Sequence, residues 1–156
     1  MTRERFISEV RACQGPLRRF LASLCGDGAL ADDIAQEALV RAYVNSGGFI
    51  GNFKTWLFRI AYNCYIDHHR KVRPEEAPVE AAIAVPADDA SDASFRYQQL
   101  YQALEKLPEK EKAAIALFYF EDLSIKEIAG ILNMPQGTVK YNLSMGRTHL
   151  KQYIQS

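Results

Sequence analysis

Two stretches of this chain carry side chains whose types and spacing suit nucleic acid. In the first, Val139 and Leu143 lie four apart and set the inward side of a helix, leaving Gln136, Thr138, Lys140, Tyr141 and Asn142 to face outward. A row of amide, hydroxyl and ammonium groups can hydrogen-bond base edges in a major groove, each good bidentate pair discriminating by ~1–3 kcal/mol. In the second, Phe53, Trp56, Phe58, Tyr62 and Tyr65 are interleaved with Lys54, Arg59, Arg70 and Lys71. Aromatic rings beside basic groups can stack on unpaired bases, at ~1–3 kcal/mol per base. The plainer reading is an aromatic-rich core, and it must account for most of these rings.

The elements that position the first row can be read locally. Ser124 and Glu127 form an S-x-x-E capping box, which predicts a helix start. Ile125, Ile128, Ala129 and Leu132 recur at helical spacing and give that helix one buried face. Asn133 suits its end, and Pro135 blocks continuation while tolerating the first turn of the next helix. The pattern is that of a helix-turn-helix, which lays its second helix in a major groove. An ordinary helical hairpin would share the same pattern.

Catalysis has no comparable support. The chain holds no G-x-x-x-x-G-K phosphate loop, no H-E-x-x-H motif and no Ser/His/Asp set near a strand–turn–helix elbow. Its histidines are His68, His69 and His149. Cys13, Cys25 and Cys64 are odd in number and form no C-x-x-C, so neither a disulfide scaffold nor a zinc finger is expected. Cys64 and His68 form one i, i+4 pair, but a metal would need further ligands from elsewhere. No cofactor or metal is expected.

The net charge is zero over 156 residues, an odd value for a nucleic-acid binder. Its distribution resolves this. Residues 1–73 carry a net +4, residues 74–95 a net −6 and residues 96–156 a net +2. Two mildly basic blocks flank an acidic one. No apolar run approaches a membrane span, and the N-terminus does not read as a signal segment, so no membrane insertion and a cytoplasmic location are expected.

The acidic block, 74–94, contains Pro74, Pro78 and Pro86, many alanines and no aromatic residue. It reads as an extended, flexible linker. Before it, helices are expected at about Arg3–Leu24, with Gly15-Pro16 kinking or splitting it, at Leu30–Val44 and at Phe53–Val72. A glycine-rich loop, Asn45–Asn52, joins the last two. After the linker, helices are expected at about Phe95–Lys106, Glu109–Phe120, Ser124–Leu132 and Pro135–Tyr153. No convincing alternating strand appears. The expected fold is all-α, two small helical domains (1–73 and 95–156) joined by the linker.

The second expected helix places Asp33, Gln36, Glu37 and Arg41 along adjoining faces, a polar strip suited to a protein partner, though a solvated helix face is the bland alternative. Here the order becomes specific. D-D-x-x-Q-E-x-x-x-R-A-Y, a glycine-rich loop, then N-F-x-x-W-L-F-R-I-A-x-N-x-x-I-D-x-x-R resembles sigma domain 2. L-P-E-K-E-K-A-A-I-x-L-F-Y-F-E-D-L-S-I-K-E-I-A-x-I-L-x-M-P-x-G-T-V-K resembles sigma domain 4. In order and extent the chain resembles an extracytoplasmic-function (ECF, group IV) RNA polymerase sigma factor.

The resemblance implies a promoter-specificity subunit with no catalytic chemistry of its own. It implies that Asp33, Gln36 and Glu37 dock on the clamp coiled coil of core RNA polymerase. It implies that Asn52, Phe53, Trp56, Arg59 and Asn63 meet the −10 element of promoter DNA, with His69, Arg70, Lys71 and Arg73 on phosphates. The −35 element would be read by Lys126, Gln136, Thr138, Lys140, Tyr141, Asn142 and Arg147. An anti-sigma factor, in some members membrane-bound, is the further partner it implies. One departure stands out: Asn142 replaces the Arg usual in T-V-K-S-R-L, and an adenine contact by its amide is the expected substitute. The alternatives are a polymerase-independent helix-turn-helix regulator and a sigma-like protein-binding module that has lost DNA binding.

Overall fold

The computed structural model describes residues 1–49, 51–71 and 92–155. Among the described residues there is no strand. Helices α1 (Arg3–Cys25), α2 (Gly28–Val44) and α3 (Phe53–Lys71) form one unit. Helices α4 (Asp92–Glu105), α5 (Glu109–Ile115), α6 (Ile125–Leu132) and α7 (Gln136–Gln155) form a second. Residues 74–91 of the expected linker lie outside the described residues; α4 begins at Asp92, three residues before the expected start.

Local chemistry sets the helix ends. The Thr2 hydroxyl accepts from Arg5 N–H at 3.2 Å and starts α1, and Gly26 ends it at φ 67°. That left-handed conformation costs glycine no steric penalty. Asp27 then accepts from the N–H groups of Ala29 and Leu30, so α2 begins two residues earlier than expected. Asn52 accepts from Thr55 N–H at 3.0 Å and caps α3.

The expected split at Gly15-Pro16 does not occur; α1 runs through Pro16 as one helix. Pro16 has no N–H to give the carbonyl one turn back. Cys13, Leu17, Phe20 and Leu21, buried on both sides of it, hold the two halves against one core. The expected Glu109–Phe120 helix also differs. It is α-helical to Ile115, then widens into a π-helical turn over Ala116–Phe120, where Glu121 N–H reaches Ala116 O.

The first unit buries Leu17, Phe20, Leu21, Ile34, Leu57 and Phe58, with the Phe20 and Phe58 rings stacked 5.4 Å apart. The second buries Leu104, Leu117, Ile128, Ile131 and Val139. The two units pack together: α3 lies against α6, and α1 against α4 and α5. Their apolar residues join in one continuous core. Polar contacts cross the same boundary, among them Arg19–Glu121, Thr55–Glu127 and Lys112 Nζ donating to Leu24 O.

Candidate polymerase and promoter interface

On α2 the buried stripe is Ala31, Ile34, Ala35, Ala38 and Ala42. Asp33 and Gln36 therefore point to solvent. Glu37 is half-buried and engaged within the fold: it accepts from Arg41 at 2.8 Å, and its other oxygen lies 2.9 Å from His68 Nε2 on α3. The His68 hydrogen bond, with a further contribution from Arg41, holds the Glu37 carboxyl below the usual carboxylate range. Arg41 also reaches Asp67, so this cluster ties α2 to α3.

The sequence reading missed the apolar part of this face. Val40 is 64% exposed and Val44 74% exposed, beside exposed Tyr43. Asp33, Gln36, Val40 and Val44 follow a spacing of three, four and four along one side of α2. The signal was present, since Val40 and Val44 fall off the alanine stripe. Exposed valines rimmed by polar groups form a surface suited to a protein partner.

On α3, Asn52, Trp56, Arg59 and Asn63 are spaced four, three and four apart and so share a face. Asn52, Arg59 and Asn63 are exposed. Trp56 is half-buried, its ring 5.2 Å from Phe49 and 5.7 Å from Phe53. Phe53 is a correction. It is buried, with Phe6, Phe49 and Trp56 all within 5.8 Å, so in this structure it is a core ring that supports Trp56 and does not meet solvent.

His69 is also placed differently from the expected phosphate contact. Its ring stacks on Tyr65 and its Nε2 lies 3.5 Å from Glu109 of the second unit. The side chains of Arg70 and Lys71, and all of Arg73, lie outside the described residues.

The turn between α6 and α7 is built as its residues predict. Ser124 and Glu127 complete the reciprocal capping box, with both bonds at 3.1 Å. Asn133 ends α6 at φ 54°. Val139 and Leu143 are buried. Lys126 on α6, and Gln136, Thr138, Lys140 and Tyr141 on α7, are exposed. Arg147 is exposed too, and donates to the Tyr119 hydroxyl at 3.2 Å.

Asn142 is the second correction. It is 8% exposed. Its Nδ2 donates to Thr138 O at 2.9 Å and lies 3.8 Å from Met134 Sδ. In this structure the amide is turned to the backbone one turn earlier and away from the outward row. The outward row thus loses Asn142 and keeps the others.

No set of three His, Cys, Asp or Glu able to hold a metal occurs among the described residues. Cys64 is buried, and desolvation pushes its thiol up to about 11. Cys25 is pushed up to about 12 by the same cause. Thiols so raised are poor ligands and poor nucleophiles at neutral pH.

The Sigma-70 region 2 model matches residues 10–75, and the Sigma-70, region 4 model matches residues 97–150. The chain is 41% identical over 140 residues to the ECF RNA polymerase sigma factor SigW of Bacillus subtilis, covering 80% of this chain and 75% of that one. The chain belongs to the ECF RNA polymerase sigma factors.

This sigma factor is also 30% identical over 150 residues to EcfG of Rhodopseudomonas palustris, covering 94% and 83% of the two chains. Among solved structures it resembles the sigma factor RpoE of Bartonella quintana in complex with the anti-sigma factor NepR. The TM-score is 0.83 at 25% identity, over 97% of this chain and 98% of that one. CnrH in complex with the cytosolic domain of CnrY shares the fold at a TM-score of 0.75 and 21% identity, over 99% and 90% of the chains. As a sigma factor the chain is a promoter-specificity subunit of RNA polymerase.

Proposed function

We propose that this sigma factor divides its work between its two helical units. The first, residues 1–73, acts as domain 2. The face of α2 bearing Asp33, Gln36, Val40 and Val44 docks on the clamp coiled coil of core RNA polymerase, and Glu37 orients it by tying α2 to α3. The face of α3 bearing Asn52, Trp56, Arg59 and Asn63 receives the −10 element. Capturing unpaired bases there offsets the few kcal/mol lost on unstacking them. Arg70, Lys71 and Arg73 follow along the DNA backbone.

The second unit, residues 95–156, acts as domain 4. Gln136, Thr138, Lys140 and Tyr141 read the −35 element, with Lys126 and Arg147 on its phosphates. The observation that carries this reading is the outward row of α7, exposed over a turn whose capping box is complete. The protein contributes no catalytic group, since nucleotide addition belongs to the core enzyme. It works where the chromosome is, in the cytoplasm. An anti-sigma factor is a partner, as one is in the RpoE–NepR complex.

In vitro transcription with core polymerase on a genomic library tests the reading. Promoter-specific start sites sharing −35 and −10 sequences are expected. Initiation no different from core enzyme alone would refute it.

A further inference from the structure

Glu121 sits between two cations of the other helical unit. Arg19 Nε donates to its Oε2 at 2.9 Å and Arg19 Nη2 to its Oε1 at 2.8 Å. Lys54 Nζ lies 3.8 Å from the same Oε1. The carboxylate side chain is only 1% exposed, while those of Arg19 and Lys54 are 49% and 30% exposed. Lys54 is further held over the Phe58 ring, 5.6 Å from its centroid. We propose that Arg19 and Lys54 form a backbone-phosphate site for promoter DNA, which Glu121 occupies while the two units are packed together.

Four observations converge on this. First, the cation geometry is a phosphate geometry. A guanidinium fork meets carboxylate and phosphate oxygens in the same bidentate way, and a nearby ammonium adds a point charge. Second, the site lies beside the −10 face. Lys54 stands between Asn52 and Trp56 in the first turn of α3, at the helix end whose dipole favours an anion.

Third, Glu121 is held by a costly backbone. It follows the π-helical turn and precedes Asp122, a non-glycine residue at φ 53°. Such conformations cost of order 1–3 kcal/mol and persist where the surroundings over-determine them. Here they deliver one carboxylate onto two cations.

Fourth, the packed arrangement cannot serve both promoter elements, a point that rests on the function proposed above. Elements named −35 and −10 lie about 25 base pairs apart, which at about 3.4 Å per step is about 85 Å. A compact chain of this length has a radius of gyration of about 15 Å. Helix α3 touches α6, and α6 touches α7. The units therefore part when both elements are bound. Parting withdraws Glu121 and leaves two converging cations beside the DNA strand, and a phosphate restores the lost counter-charge.

The test uses the full chain without core polymerase. The probe is a fluorescein-labelled 20-nucleotide single strand of mixed sequence, read by anisotropy across a salt series. Small-angle scattering reports the radius, and thermal melting confirms folding. Glu121→Gln and Glu121→Ala are each expected to enlarge the radius and tighten probe binding about tenfold. Adding Arg19→Gln and Lys54→Gln is expected to abolish that gain and lower the log–log salt slope by about 0.7, one single-strand phosphate contact.

Tighter binding that survives loss of both cations would overturn the phosphate site, leaving Glu121 as a latch alone. Unchanged affinity in both Glu121 variants would overturn the proposal outright. Wild-type holoenzyme that fails to initiate at promoters would instead refute the sigma reading, so the two failures are distinguishable.

Discussion

The side-chain amide of Asn142 is bonded to the carbonyl of Thr138, one turn earlier on the recognition helix, at 2.9 Å. The residue expected to read a base is thereby part of the helix's own hydrogen bonding. Asn142→Ala should cost about 1 kcal/mol of stability, the net worth of one hydrogen bond. The base preference at the −35 element should stay as it is, whereas Lys140→Ala should weaken promoter use. Urea melts, with transcription from promoters randomised at −35, check both halves. A changed base preference in Asn142→Ala would return that residue to the reading surface.

The apolar edge of α2 gives a second prediction. Val40→Glu should weaken core polymerase binding at least tenfold, because a charge would have to be buried or paired at the docking face. Folding stability should move by no more than about 0.5 kcal/mol, as for other surface substitutions. Competition binding to core polymerase, alongside a thermal melt, separates the two effects. Full-strength binding by Val40→Glu would place the docking face elsewhere.

Gly146 lies where α7 crosses α5. An added Cβ would sit 2.8 Å from Ile115 Cγ1 and 3.1 Å from its Cδ1. Glycine to alanine inside a helix ordinarily stabilises by about 1 kcal/mol. The overlap here costs about 1–3 kcal/mol and should win. Gly146→Ala is expected to lower the urea midpoint, and a raised midpoint would mean that Ile115 yields without strain.

Acid stability should depend on two carboxylates. Glu37 lies below the usual range because of its hydrogen bond with His68 first, and Glu127 because of its hydrogen bond with the Ser124 backbone first. A folded-state value below the unfolded one stabilises at pH above the unfolded value, about 4.3 for Glu. That contribution is lost as pH falls through the folded value. Melting temperature should therefore drop below about pH 4.5, and Glu37→Gln or Glu127→Gln should each flatten the drop while lowering stability at pH 7. Acid limbs identical to wild type would show that other groups govern acid unfolding.

Much of the fold was legible because it is written locally. The Ser124/Glu127 box, Asn133 and Pro135 define the α6–α7 turn within a dozen residues, and each acts through its own backbone neighbours. The alanine stripe of α2 likewise gave its buried side directly. What was not legible depends on distant partners. Phe53 is buried by Phe6 and Phe49, and Asn142 turned inward beside Met134; helical spacing, four before Leu57 and three after Val139, already sets both on buried faces, but the rings and sulfur that cover them are not marked locally. Arg19 and Glu121 stand 102 residues apart, and no local pattern marks such a pair. The π-helical turn at Ala116–Phe120 similarly lacks a residue type that announces it.

Glu127 uses one oxygen to cap α6 through Ser124 N–H and the other to accept from Thr55 of the opposite unit. When Thr55 leaves, the cap remains and the freed oxygen meets water, so neither side is left with a broken helix end. On the parting proposed above, the boundary at this point opens as a seam whose contact is made by a side chain already anchored in its own unit. Separation there needs no local unfolding, and re-closure finds its docking group still in position.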